Sequence, residues 1–429
     1  MRLSVRFLVA GLLLSVLVCS VNAAASRYRW KKGIVTLSVS SSLTSNTANI
    51  AAGSDAGAAL DRSIASWQQV ANISFRKVST ADQNISPAGV QGDGISLITI
   101  AATPENLAMF PQGLEDATAR TRVFYDARGF ITEADVVLNP YLQFSTDGTV
   151  GTFDLESTIT HELGHLLGLG HSPVFGATMS EGHGRNGVFN LPAFAARTLA
   201  ADDIAAVRSI YGPAQKDDDC CGRVWGKLTL PSGKAAAGFT VWVEDADDGR
   251  VLAATTSSQD GSYRIGGLPA GRVELFAQSD IDDLNNSAAG DVGEITISAR
   301  QPVILNKKLE NVNTDFKPEY MGFNGQLASL SLFINSGNTY DIWLGGTDLK
   351  HGNIEVGSDS IWISTQRKPS FGNFGNNITT LGFYAAVAPD APNGEYNLFV
   401  QNETGARRYL IGGLTVEKFP NFWSIAAFK

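Results

Sequence analysis

Cysteine is nearly absent. The 429-residue chain holds three, Cys19, Cys220 and Cys221, and the first lies in a stretch read below as removed on export. No disulfide framework can therefore staple the fold, and its hydrophobic cores must hold it together. Charge is also sparse. Charged residues make up 17%, acidic ones outnumber basic ones 42 to 33, and the net charge is -9. That leaves no basic surface of the kind nucleic acid or anionic lipid requires, so neither is an expected partner. Histidine occurs five times, and none precedes His161, which excludes a second, histidine-built metal site upstream. No Asp-x-Asp-x-Asp-Gly loop occurs. The many carboxylates are compatible with Ca2+, but no calcium site is assigned. The longest apolar run near the start, Phe7 to Val18, falls short of the ~20 residues that a spanning helix needs, so no stable membrane insertion is expected.

What is present points elsewhere. Hydrophobic residues reach 44%, enough for several cores, and the length exceeds what one core supports, implying two to four units. Arg2 and Arg6 precede the apolar run, which ends at Val21-Asn22-Ala23 with small flanks. Residues 1–23 thus read as an export signal whose removal leaves a secreted, extracellular protein with a net charge of -11. Val18 before Cys19 is larger than the residue that lipoprotein boxes carry, which argues against a lipid anchor.

The pattern changes along the chain. Residues 24–213 mix strands and helices, and residues from Gly222 onward alternate as strands with Gly-rich turns and no helix. A charged, turn-prone stretch, 214–221, reads as the linker between them. In the first part the spacing predicts strands at Ile34–Val39, Ile73–Val78, Ile95–Ile100, Arg120–Tyr125 and Ala134–Leu138. It also predicts a helix over Ala58–Val70 with Leu60, Ile64, Trp67 and Val70 on one face. This is an α+β arrangement with about five strands and the helix laid across them.

Three of the five histidines fall within eleven residues, His161-Glu162-Leu163-Gly164-His165-Leu166-Leu167-Gly168-Leu169-Gly170-His171. Asp154 is a plausible N-cap for a helix from Leu155, whose apolar face is Ile159, Leu163, Leu166 and Leu167. Residues four apart on a helix project the same way, so His161 and His165 can reach one ion. Gly168 can take a positive φ, end the helix and bring His171 back to the same ion. Three imidazoles with one open position suit a single catalytic Zn2+, which acidifies a water and polarises a carbonyl. Glu162, beside the first ligand, is the candidate base rather than a ligand. Ordinary histidines would instead bury three costly polar groups on a Leu-rich helix without partners.

With Ser172 after His171 and a later Ala177-Thr178-Met179-Ser180, the chain from Arg27 to Pro213 resembles the metzincins, and their matrixin-like branch in particular. Ala65-Ser66-Trp67, Glu133 to Asn139, Leu199 to Ile204 and Ile210-Tyr211-Gly212 follow in that family's order. The resemblance implies a zinc metalloendopeptidase acting on protein or peptide substrate. It also implies that Met179 forms a Met-turn floor beneath the zinc and that Arg120–Tyr125 is the edge strand that pairs with substrate. Ser180 to about Leu199 would wall the pocket for the side chain following the cut bond. Glu181 stands where astacins and serralysins carry a tyrosine ligand, so no such ligand is implied. Too few residues separate Ala23 from the first strand for the family's cysteine-bearing propeptide.

His183 could touch substrate, but a lone loop histidine reads as solvated, and His351 reads as incidental. Cys220 and Cys221 could form a strained disulfide or remain thiols. Residues 222–310, with Gly238–Val243 and Gly261–Gly271, resemble carboxypeptidase regulatory-like domains, which implies a transthyretin-like β-sandwich without chemistry of its own. Residues 311–429, with Leu344–Thr347 and Ala388–Tyr396, resemble IPT/TIG immunoglobulin-like domains. Both would space, stabilise or dock the peptidase on a cell surface or matrix. The competing expectation is a noncatalytic or self-processing adhesin that binds through these sandwiches.

Overall fold

A computed structural model describes residues 28–417, except 32, 46, 89–90, 116, 191–194, 218–219, 280–288, 300, 311–313, 315, 324, 350–353 and 374–377. The expected export signal and His351 lie outside the described residues. The fold is α+β. It begins with a six-stranded sheet of β1 (Arg29–Trp30), β2 (Ile34–Ser40), β3 (Ser74–Thr80), β4 (Leu97–Thr99), β5 (Ala119–Tyr125) and β6 (Phe130–Leu138). The sheet has one strand more than the spacing predicts, because the two-residue β1 is too short to display any alternation. β1, β2, β3, β4 and β6 run parallel to one another. β5 alone is antiparallel, pairing with β6 from Ala119↔Leu138 to Phe124↔Glu133.

Two helices cover this sheet. Ala56–Val70 is capped by Asp55, whose carboxylate accepts from Ala58 N, and buries Leu60, Ile64 and Trp67 as expected. Leu155–Leu166 lies beside it, with the Trp67 indole N–H donating 2.9 Å to the Thr160 carbonyl. Their shared core includes Val35, Leu37, Val136, Ile159, Leu163 and Met179. At roughly 1.5–3 kcal/mol per fully buried large side chain, this packing is what fixes the second helix against the sheet.

The remaining units are all strand among the described residues. Val251–Thr256, Phe239–Asp245, Gly271–Ser279 and Gly290–Ile297 form one sheet of the second unit. A smaller sheet, centred on Gly222–Thr229 and Ser262–Leu268, faces it. The third unit stacks Lys317–Gly322, Thr339–Thr347, Ile378–Val387 and Ile363–Asn373 on a sheet containing Leu332–Ile334, Arg407–Val416, Gly394–Gln401 and Glu355–Gly357. Cys220 and Cys221 are joined in a disulfide just before the second unit.

The three units pack together. The helix Ala201–Tyr211 lies against the second unit, where a Cβ at Gly267 would sit 1.9 Å from the Ala205 carbonyl oxygen. Val174, Ala177 and Ala200 of the first unit share one buried cluster with Trp242 and Val251 of the second and Phe399, Tyr409 and Ile411 of the third. Polar groups cross the second contact as well. Tyr409 N donates to the Gln278 amide oxygen at 2.9 Å, and the Gln278 amide returns a bond to the Tyr409 carbonyl at 3.0 Å.

Candidate metal centre

The helix carrying the histidines starts where its cap says it should. Asp154 Oδ1 accepts from Ser157 N at 2.8 Å, and Arg197 pairs with the same carboxylate at 2.5 Å. It ends at Gly168, φ 93°. Gly168 N donates to the His165 carbonyl at 2.8 Å and Leu169 N to the Gly164 carbonyl at 3.0 Å, a Schellman closure that satisfies the last carbonyls and reverses the chain. His171 returns along that reversal.

The ligating atoms offered by His161, His165 and His171 all lie within 4.8 Å of one another. His161 Nδ1 faces the Thr178 carbonyl at 2.7 Å, and His165 Nδ1 faces the Leu169 carbonyl at 2.9 Å. A carbonyl can only accept, so each Nδ1 bears the proton and each Nε2 keeps its lone pair. His165 Nε2 and His171 Nε2 are 3.2 Å apart. Burial lowers all three pKa values, His161 well below its ordinary range, with neighbouring histidines adding to the effect on His161 and His171. Neutral imidazoles converging with free lone pairs are the donor set that zinc takes, so these residues fit the ion.

Glu162 is 3% exposed. Its Oε2 accepts from the Thr121 hydroxyl of β5 at 2.5 Å. Burial pushes its carboxyl up to about 7, while the Thr121 bond and the Arg120 charge pull the other way. Met179, 2% exposed, lies under the helix at Gly164, where a Cβ would stand 2.2 Å from its sulfur. The expected sites therefore come together: the three histidines, Glu162, and Met179 beneath them.

Three features escaped the sequence. Asp203 accepts from Met179 N at 3.0 Å and from Thr178 N and Ala200 N, each at 2.8 Å, and so pins the turn whose Thr178 carbonyl orients His161. Burial, with Asp202 beside it, raises its pKa to about 7 against those three donors. The Asp202-Asp203 pair is visible in the chain, but its partners are not local. Thr121 is the second feature, an unremarkable residue until packing of the helix on the sheet sets it over Glu162. His183 is the third, and it corrects an expectation. It is not a solvated loop residue. Its ring packs edge-on to that of His161 with centroids 4.5 Å apart, and burial pushes its pKa down to about 4. Only folding of the loop brings it there.

Residues 29–212 match the family model described as Matrixin, and residues 223–310 match that of the carboxypeptidase regulatory-like domain. Among curated proteins, Metalloendoproteinase 1-MMP of Arabidopsis thaliana is 34% identical over 164 residues, which is 36% of this chain and 37% of that protein. Metalloendoproteinase 1 of Glycine max is 30% identical over 164 residues, 36% of this chain and 45% of that protein. Interstitial collagenase of Oryctolagus cuniculus is 27% identical over 169 residues, 39% of this chain and 31% of that protein. The chain thus spans less than half the length of each of these relatives. Its first unit is a Matrixin domain, of a zinc metallopeptidase family, and its second is a carboxypeptidase regulatory-like domain.

Proposed function

We propose that the Matrixin domain is the catalytic unit of a secreted zinc metalloendopeptidase that hydrolyses internal bonds of extended polypeptides. The observation that carries this reading is the convergence of three imidazoles, two of them one helical turn apart with Glu162 between and the third returned by the Gly168 reversal, beside an antiparallel edge strand. His161, His165 and His171 would hold one Zn2+ through three nitrogens. When bound, zinc supplies Lewis acidity, polarising a peptide carbonyl and acidifying a water.

The protein's own residues do the rest. β5 offers its free edge to an extended chain, which places the scissile bond along the strand that carries Thr121. Glu162, raised towards neutrality by burial, takes a proton from the attacking water and delivers it to the leaving amine, a role worth about 10²- to 10⁴-fold. Thr121 holds one carboxylate oxygen, leaving the other free for that transfer. Asp203 and Met179 keep the floor beneath His161 in place. The second unit and the immunoglobulin-like third unit would dock the enzyme on a surface or matrix.

Glu162→Gln provides the test. Zinc content should remain at one per chain while cleavage of unfolded casein falls by at least 10²-fold. Cleavage at the wild-type rate would refute the assignment of Glu162 as the base.

A further inference from the structure

The third unit does more than follow the peptidase in sequence. Between His171 and the helix Ala201–Tyr211 the chain crosses onto it and back. Phe175 N donates to the Ile411 carbonyl at 2.8 Å, and Phe189 N donates to the Gln326 side-chain oxygen at 2.8 Å. Phe189, 6% exposed, belongs to the third unit's own core and meets Phe323 edge-on at 5.8 Å. It also holds φ 57°, a left-handed backbone that a bulky residue keeps only where its surroundings impose it. The third unit is what surrounds it.

Between those anchors lies Gly182-His183-Gly184. A Cβ at Gly184 would stand 2.7 Å from Leu330 Cδ1, and one at Gly182 would stand 3.0 Å from the Ser329 carbonyl oxygen. The two glycines let the third unit's loop come against the backbone on both sides of His183, whose ring touches His161. Leu330 is thereby one residue away from a group in contact with the histidine cluster. It is half-buried, and Ser329 beside it is exposed, so this edge of the third unit is accessible from solvent.

We propose that the third β-sandwich builds part of the substrate cleft, and that Leu330 sets which side chain is accepted after the scissile bond. The proposal rests on the peptidase reading above, with Ser180 to about Leu199 walling the pocket for the side chain that follows the cut bond. An apolar Leu330 against the Gly182-His183-Gly184 backbone favours an apolar residue at that position and penalises a charged one. A pocket contact of this size discriminates by about 10- to 200-fold.

The experiment uses the full zinc-loaded chain and a mixed peptide library, with cleavage sites read by mass spectrometry. Leu330→Glu should raise the kcat/KM ratio of Lys or Arg over Leu after the cut by about tenfold or more. Preference before the cut and zinc stoichiometry should stay as in the wild type. Ser329→Lys, at an exposed position, should shift the same ratio towards Glu and covers the case in which Leu330→Glu fails to fold. Unchanged preference after the cut in a folded variant overturns the proposal, as does a uniform loss of rate without a change in preference. If the wild type cleaves nothing, the peptidase reading fails separately. The cleft is then probed by calorimetry of the same peptides on Glu162→Gln protein. A reversal of Lys over Leu affinity in Leu330→Glu supports the proposal, and identical rankings overturn it.

Discussion

Asp203→Asn tests how the floor of the site is held. The wild-type carboxylate accepts three backbone N–H groups, one on Oδ1 from Met179 and two on Oδ2 from Thr178 and Ala200, and is fully buried. An Asn oxygen can serve one side only. With that oxygen towards Thr178 and Ala200, the amide NH2 faces the Met179 N–H, leaving one donor unsatisfied and two donors opposed. A buried unsatisfied group costs about 1–3 kcal/mol, and bonds to a charged acceptor contribute about 1.5–3 kcal/mol. A loss of roughly 2–4 kcal/mol follows, which lowers Tm by about 4–16 °C for a unit of this size. The same turn supplies the Thr178 carbonyl at 2.7 Å from His161 Nδ1. Loosening a partner that orients a metal-binding histidine typically weakens metal affinity by about 10- to 100-fold. Calorimetric Tm and zinc affinity by competition with a chelating dye, both at pH 8 where Asp203 is ionised, read the two effects separately. A fall in Tm with zinc affinity unchanged within about twofold would refute the relay through Thr178. No change in either would refute the account of the carboxylate altogether.

Gly164→Ala should lower stability by about 1–3 kcal/mol and weaken zinc binding, because its Cβ would stand 2.2 Å from the Met179 sulfur and 3.0 Å from Trp67 Cζ2. Urea unfolding and zinc titration would detect this, and a neutral result would mean that Met179 is not packed under the helix. Glu244 sits at the contact of the second and third units, accepting from the Trp242 indole at 2.7 Å and the Asn397 amide at 2.5 Å. Burial raises its pKa to about 8. With the folded pKa above the unfolded one, the folded state binds more protons, so stability is full below ~4.3 and is lost as pH rises towards 8. Glu244→Gln should flatten part of that decline between pH 5 and 8.5, and identical urea midpoints across pH for both proteins would contradict it.

Much of the first unit was legible because its signals are local. Helical spacing marks Ala58–Val70 of the observed Ala56–Val70, Asp154 caps the helix of the histidines, and a glycine ends it at Gly168. A four-residue interval on a helix and a glycine reversal fix where three side chains point, so the metal centre is written in eleven consecutive residues. β1 and the exact strand ends were not legible, since pairing rather than alternation defines them. Glu162 was named from its place beside a ligand, but its partner Thr121 lies 41 residues away and reaches it only when the helix packs on the sheet.

Residues 172–190 mark the same division. In the sequence, His183 among them reads as a solvated loop histidine. Neither Gln326, Leu330 nor Asp203 is near them in sequence, and none carries a pattern that forecasts the contact. Chemistry set by neighbours along a helix is determined by the order of residues alone. Contacts among the three units depend on which surfaces meet, and that is decided only when the buried cluster of Val174, Trp242 and Tyr409 closes.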